Sequence, residues 1–143
     1  MPKMNIIPSK GLVQSPGSGF LIDGTTVASS AQSLDQLILT TVLLNVSDAA
    51  SETFVVTPHA GTLTAVYSSL GGVIATDDAT LTVKVGGSSV GIITVANAGS
   101  AAGDVDSLTG LSTAVTQASA IEVETDGGST NAVSVNLTFV IER

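Results

Sequence analysis

Three features of the sequence predict an all-β fold, an antiparallel β-sandwich of jelly-roll type with an extended N-terminal arm. The chain is rich in Val, Ile, Leu and Thr, most of it alternates apolar and polar residues with period two, and Gly-rich turn signals separate the alternating runs. The 143 residues fit one such domain, and a hydrophobic fraction of 43% with a mean hydropathy of +0.51 provides material for a core. Aromatics are only 3% and charged residues 11%, the latter well below the roughly 25% of ordinary soluble domains. Ser and Thr fill the gap at about a quarter of the chain. Threonine suits a half-wet pleated surface, because its branched Cβ packs across strands while its hydroxyl stays hydrated.

The first two dozen residues differ from the rest. Residues 1–22 contain Lys3 and Lys10 and no acid, a charge of +2. Residues 23–143 contain Lys84 and Arg143 against all twelve acids, a charge of −10, and the two make up the −8 of the whole chain. Pro2, Pro8 and Pro16, with Gly11, Gly17 and Gly19, break helix and sheet alike. The segment reads as an extended arm with apolar contact points at Ile6, Ile7, Leu12 and Val13, and a disordered terminus is the competing reading. Residues 1–36 are assigned to this arm and its connector, and 37–143 to the sandwich.

Leu37 to Leu44 opens the regular part and is apolar on both faces, with Leu37, Leu39 and Leu43 on one and Ile38, Val42 and Leu44 on the other. Such a strand is expected to be covered twice, by a second sheet or by a neighbouring subunit. A short helix capped by Ser33 competes, but the β-branched content favours a strand. Beyond it, Leu63, Ala65 and Tyr67 are expected to face the core, as are Leu81, Val83 and Val85, then Ile121 and Val123, then Val133, Val135, Leu137, Phe139 and Ile141. Thr, Ser, Lys84, Glu122 and Glu124 alternate with them. Slipping any run by one residue would expose the valines and bury the glutamates, so register is well specified. Gly86-Gly87-Ser88 predicts a hairpin, and Asp126-Gly127-Gly128 predicts another joining the last two strands. Ala98 to Gly110 is small and polar and reads as a crossing between sheets.

The residues that could carry chemistry are few. His59 stands alone between Pro58 and Ala60 in a predicted loop, no Gly-x-Ser-x-Gly elbow accompanies it, and one histidine cannot build a multi-histidine metal site. With no cysteine, thiolate and zinc–thiolate sites are excluded. The acids occur in loose pairs, Asp77-Asp78, Asp104/Asp106 and Glu122/Glu124, without the D-x-D-x-D-G run of a calcium loop. Asp104 and Asp106 could fold around a cation, although a solvated surface is the plainer reading. The glycines lie between strands, and no Gly-Lys-Ser/Thr follows them as a phosphate cradle requires. Asn45-Val46-Ser47 and Asn136-Leu137-Thr138 match the glycosylation pattern, as short motifs often do by chance. Few basic residues and a net charge of −8 disfavour nucleic acid and anionic membranes as partners. No apolar run approaches the roughly 18 residues of a membrane span, and the N-terminus lacks the apolar core of a signal peptide, so synthesis in the cytoplasm is expected. Neither an enzymatic activity nor a cofactor is expected.

The central segments FVVTPHAGTLTAVYSSLGGVI (54–74), ATLTVKVGG (79–87), ITVANAGSAAGDVDS (93–107) and IEVETDGGSTN (121–131) resemble the capsid decoration, or cement, proteins of tailed bacteriophages. The resemblance spans about residues 52–142 and leaves out the arm. It implies a jelly-roll-like virion protein, a homotrimer, bound to the major capsid protein on the outer face of an icosahedral head. There it would stabilise the shell by bridging its subunits, without catalytic residues. The charge division agrees, since an acidic domain is repelled by packaged DNA. The expected capsid or protomer contacts are then Lys3, Ile6, Ile7, Lys10, Leu12 and Val13 of the arm, and Ile38, Val42 and Leu44 of the two-faced strand. The alternative is a receptor- or glycan-binding module of a fibre or spike, which the poverty of aromatics disfavours. A glycosidase is disfavoured by the unclustered acids and a pilus or adhesin subunit by the missing export signal. Deleting residues 1–22 is expected to abolish binding to phage shells in a co-sedimentation assay, while circular dichroism retains the β spectrum.

Overall fold

The computed structural model describes strand residues 5–7, 11–13, 20–22 and 25–28 of the N-terminal region, and all of residues 36–143. The chain divides into two compact units, residues 1–35 and 36–143. In the first, β1 (Asn5–Ile7) pairs antiparallel with β2 (Gly11–Val13), and β3 (Phe20–Ile22) with β4 (Thr25–Ala28). Part of the predicted extended arm thus folds back as two short hairpins.

The second unit has eight strands and, among the described residues, no helix. They are β5 (Gln36–Leu43), β6 (Glu52–Val56), β7 (Gly61–Leu70), β8 (Ala79–Val85), β9 (Ser88–Val95), β10 (Val105–Val115), β11 (Ala120–Thr125) and β12 (Val135–Glu142). Two four-stranded antiparallel sheets result, ordered β10-β7-β12-β5 and β6-β11-β8-β9. The pairings are nested: β8 with β9, β7 with β10, β6 with β11, and β5 with β12. A long hairpin has in effect been rolled up, which is the jelly-roll topology. At its tip Gly86 and Gly87 have φ of 58° and 79°. Two consecutive positive φ values are the signature of the hairpin turn that the Gly-Gly pair predicts.

Alternation supplies the core. Val135, Leu137, Phe139 and Ile141 of β12 meet Leu63, Val66 and Leu70 of β7, and Leu81, Val83, Ile121 and Val123 approach from the other sheet, all 4% exposed or less. Each such burial is worth about 1.5–3 kcal/mol. The two sheets also meet along their edges. The Thr41 and Thr53 hydroxyls hydrogen-bond at 2.8 Å between β5 and β6. On the opposite side Leu108 of β10 lies against Gly91 of β9, where a Cβ would sit 2.6 Å from the leucine methyl.

Three expectations require correction. Tyr67 is not in the core. Ile141 pairs with Leu63 and Val140 with Ala65, so Thr64 is the extra residue of a β-bulge. A bulge inverts the alternation beyond it, which turns Val66 and Ser68 inward and leaves Tyr67 40% exposed. Asp126-Gly127-Gly128 does not close a hairpin, because β11 and β12 belong to different sheets. Gly127 does take a positive φ of 73° there, as the turn chemistry requires. The crossing read over Ala98 to Gly110 is shorter, since β10 begins at Val105.

The loop Gly71–Asp78 is held from both sides at one end of the sandwich. The Ser100 hydroxyl accepts from the Ile74 amide and donates to its carbonyl, and Ser129 does the same for Ala75. These bonds hold Thr76 at a φ of 80°, uncommon for a β-branched residue. Asp126 accepts from the amides of Thr80 and Gly128 and from the Thr80 hydroxyl. Desolvation raises its pKa, but these bonds together outweigh it and hold the carboxyl below its ordinary value of 3.8. Asp106 moves the other way, pushed above 3.8 by desolvation and by the neighbouring Asp104.

Replacing Gly87 by Val is expected to destabilise the domain by about 1–2 kcal/mol in urea unfolding, the cost of a left-handed β-branched residue, and Gly87→Asn by less. The two aspartates have opposite pH signatures. The lowered pKa of Asp126 contributes stability that is complete above 3.8 and lost as the pH falls through the native value. The raised pKa of Asp106 opposes folding at neutral pH and ceases to do so below 3.8. Thermal melts should therefore show Asp106→Asn gaining about 0.5 kcal/mol at neutral pH, the size of a solvent-screened effect, and gaining nothing near pH 3. Asp126→Ala should lose about 1 kcal/mol at neutral pH, the net worth of its hydrogen bonds, and show a shallower acid transition.

Candidate interaction surface

The outer faces of the two sheets are chemically unlike. On the β10-β7-β12-β5 sheet the register aligns Ser107, Tyr67, Thr138 and Thr40, so that a row of hydroxyls crosses all four strands. On one side of it run Thr109, Ala65, Val140 and Ile38, and on the other Val105, Ser69, Asn136 and Val42. Ile38 is 52% exposed, Val42 42% and Val105 64%. No ionisable acid or base stands in these three rows apart from the Tyr67 phenol; Asp104 and Asp106 flank Val105 along the chain, and Glu142 ends β12.

On the other sheet Glu52, Glu124, Thr82 and Ile92 form one row, and Phe54, Glu122, Lys84 and Ser89 the next. Glu52 and Glu124 stand directly opposite each other, a destabilising like-charge pair. Lys84 bridges the two glutamates of β11, at 3.1 Å from Glu122 and in contact with Glu124. Hydrogen bonds to Glu124 and then Glu122 raise the lysine pKa above 10.5. Sequence alternation placed these three side chains on one face, and it is the lysine between them that makes two adjacent glutamates tolerable.

Of the expected contact residues, Ile38 and Val42 share the uncharged face, and Leu44, 79% exposed, follows at the end of β5. The inner face of β5 packs on the core through Leu37, Leu39 and Leu43. The second sheet therefore covers one side of this strand and leaves the other to solvent. In the N-terminal unit Ile6 pairs with Leu12, Ile7 with Gly11, and Asn5 with Val13, while Lys3 and Lys10 lie outside the described residues. The sequence reading missed the exposure of Phe54, Val56 and Tyr67. Phe54 and Val56 were legible in FVV, whose central Val55 packs against the core, whereas Tyr67 was hidden by the bulge. These two exposed aromatics belong to outer faces of different sheets and form no common platform.

His59 is exposed in the turn after Thr57. Thr57 itself is buried and ties that turn to the β10–β11 connection through Thr116 and Ser119. A shallow cavity of about 200 Å³ is lined by Leu70, Ser100, Asp104 and Asp106, among others. Asp104 accepts from the Ala101 amide at 2.6 Å, so its carboxylate shapes its own loop. Among the described residues no three His, Asp or Glu side chains converge as a metal site.

No family model matches the sequence, and no curated protein matches it. Among solved structures, the chain is similar to one in the "Cyanophage Pam1 capsid asymmetric unit", with 19% identity and a TM-score of 0.51 over 89% of this chain and 99% of that one. A second similar structure is that of CsCBM6-3 from Clostridium stercorarium in complex with cellobiose, with 15% identity and a TM-score of 0.43 over 77% of this chain and 82% of that one. At 19% identity the first of these matches shows a shared fold alone, in agreement with the antiparallel β-sandwich predicted from alternation and turns.

Proposed function

We propose that the protein is a capsid decoration, or cement, protein: a structural virion component without enzymatic activity. In this reading it binds the major capsid protein on the outer face of an icosahedral phage head as a homotrimer, and it stabilises the shell by bridging adjacent subunits. The observation that carries the reading is the fold shared with a chain of a phage capsid asymmetric unit along 99% of that chain's length. Two further features support it. A rigid sandwich with an uncharged, partly apolar sheet face offers contact area rather than a reaction centre. The −8 charge and the acidic opposite face suit a position away from packaged DNA. Stabilisation then follows from mass action: a protein that binds the closed shell and not its separated subunits raises the free energy of opening.

Purified protein mixed with undecorated shells should co-sediment with them and raise their disruption temperature by several degrees. Failure to bind would overturn the assignment. A specific glycan hit on an array, with no shell binding, would favour the alternative of a receptor- or glycan-binding module.

A further inference from the structure

We infer that the outer face of the β10-β7-β12-β5 sheet is the surface through which copies of this chain associate with one another. The inference deepens the proposed function and rests on it only for the number of copies.

Charge selects the face. Every copy carries −8, so a contact between copies costs least where it brings no like charges together. The β6-β11-β8-β9 face would bring Glu52, Glu122 and Glu124 against the same three residues with a single lysine per copy between them, and would dehydrate carboxylates in doing so. The opposite face brings no charge together across the three rows between Val105 and Ile38.

The chemistry of the face also fits a copy of itself. Each hydroxyl of the Ser107–Tyr67–Thr138–Thr40 row both donates and accepts a hydrogen bond, so it can satisfy another hydroxyl without a charged partner. The flanking rows present methyl groups, with Ile38, Val42 and Val105 between 42% and 64% exposed. A surface of methyls and hydroxyls complements itself, whereas a strongly charged partner would leave its own charges unpaired there. Around a threefold axis, three copies with this face turned inward bring the β5 side of one against the β10 side of the next, and each copy hides the apolar half of β5.

The test is solution mass by light scattering. Wild-type protein should run at about three times the 14.1 kDa of one chain, and Ile38→Lys or Val42→Lys should run at one. Phe54→Lys, on the other sheet's outer face, should keep the wild-type mass. Circular dichroism melts check that each variant is folded. Should a core-adjacent change prevent folding, Thr40→Lys, exposed in the middle of the face, reads the same contact. A wild-type monomer would overturn the inference, as would lysine variants that stay folded and associated. Shell binding is scored separately: wild-type protein that associates through this face but ignores shells would overturn the decoration role and leave the inference standing.

Discussion

The structure depends on the pairing of the first sandwich strand with the last. β12 lies between β5 and β7, and its Val135, Leu137, Phe139 and Ile141 are fully buried. Gln36 pairs with Glu142, so the ends of the sandwich are joined across nearly its whole length. Every other pairing of the sandwich is nested inside that one, down to the Gly86-Gly87 turn. Contacts of such sequence separation carry a large loop-closure cost, and the continuous apolar inner face of β12 offsets it.

This same strand places the candidate surface. With its odd-numbered side chains committed to the core, Asn136, Thr138 and Val140 must face outward, and the register aligns them with Ile38, Thr40 and Val42 on β5 and with Ala65, Tyr67 and Ser69 on β7. A neutral face of methyls, hydroxyls and amides is therefore built into the topology. Apart from Asp106 on β10 and Glu142 at the end of β12, the acids of the described residues collect elsewhere. Glu52, Glu122 and Glu124 lie on the opposite sheet, and Asp48, Asp77, Asp78, Asp104 and Asp126 in loops at one end. On an acidic chain that segregation leaves one broad side where another protein can approach without burying a carboxylate.

Much of this was legible in the sequence because the side-chain period of a strand is fixed. The valine and leucine alternation of 79–85, 121–125 and 135–141 marked the core side of β8, β11 and β12, and Gly-Gly marked the tip of the roll. The apolar outer side of β5 was also visible in LILTTVLL. What escaped depends on partners rather than on local pattern. The bulge at Thr64 exists only because β7 has to match β12, and nothing near Thr64 announces that Tyr67 will turn outward. Asp-Gly-Gly specifies a reversal of direction but not whether the next strand joins the same sheet, so β11 and β12 were paired when in fact they lie in different layers. The start of β10 falls within the Ala98 to Gly110 segment read as a crossing, because Val105 to Gly110 is small and polar like the residues before it.

In the proposed role, a shell is strengthened by area and fit rather than by chemistry, and the neutral sheet face is where that fit is made between copies. A cryo-electron microscopy reconstruction of decorated shells tests this most directly. The account predicts trimeric density outside the shell, with the β10-β7-β12-β5 faces turned to a common axis and the glutamate-bearing faces turned away from it. Density in which that neutral face is open to solvent, or in which copies touch through Glu122 and Glu124, would contradict it.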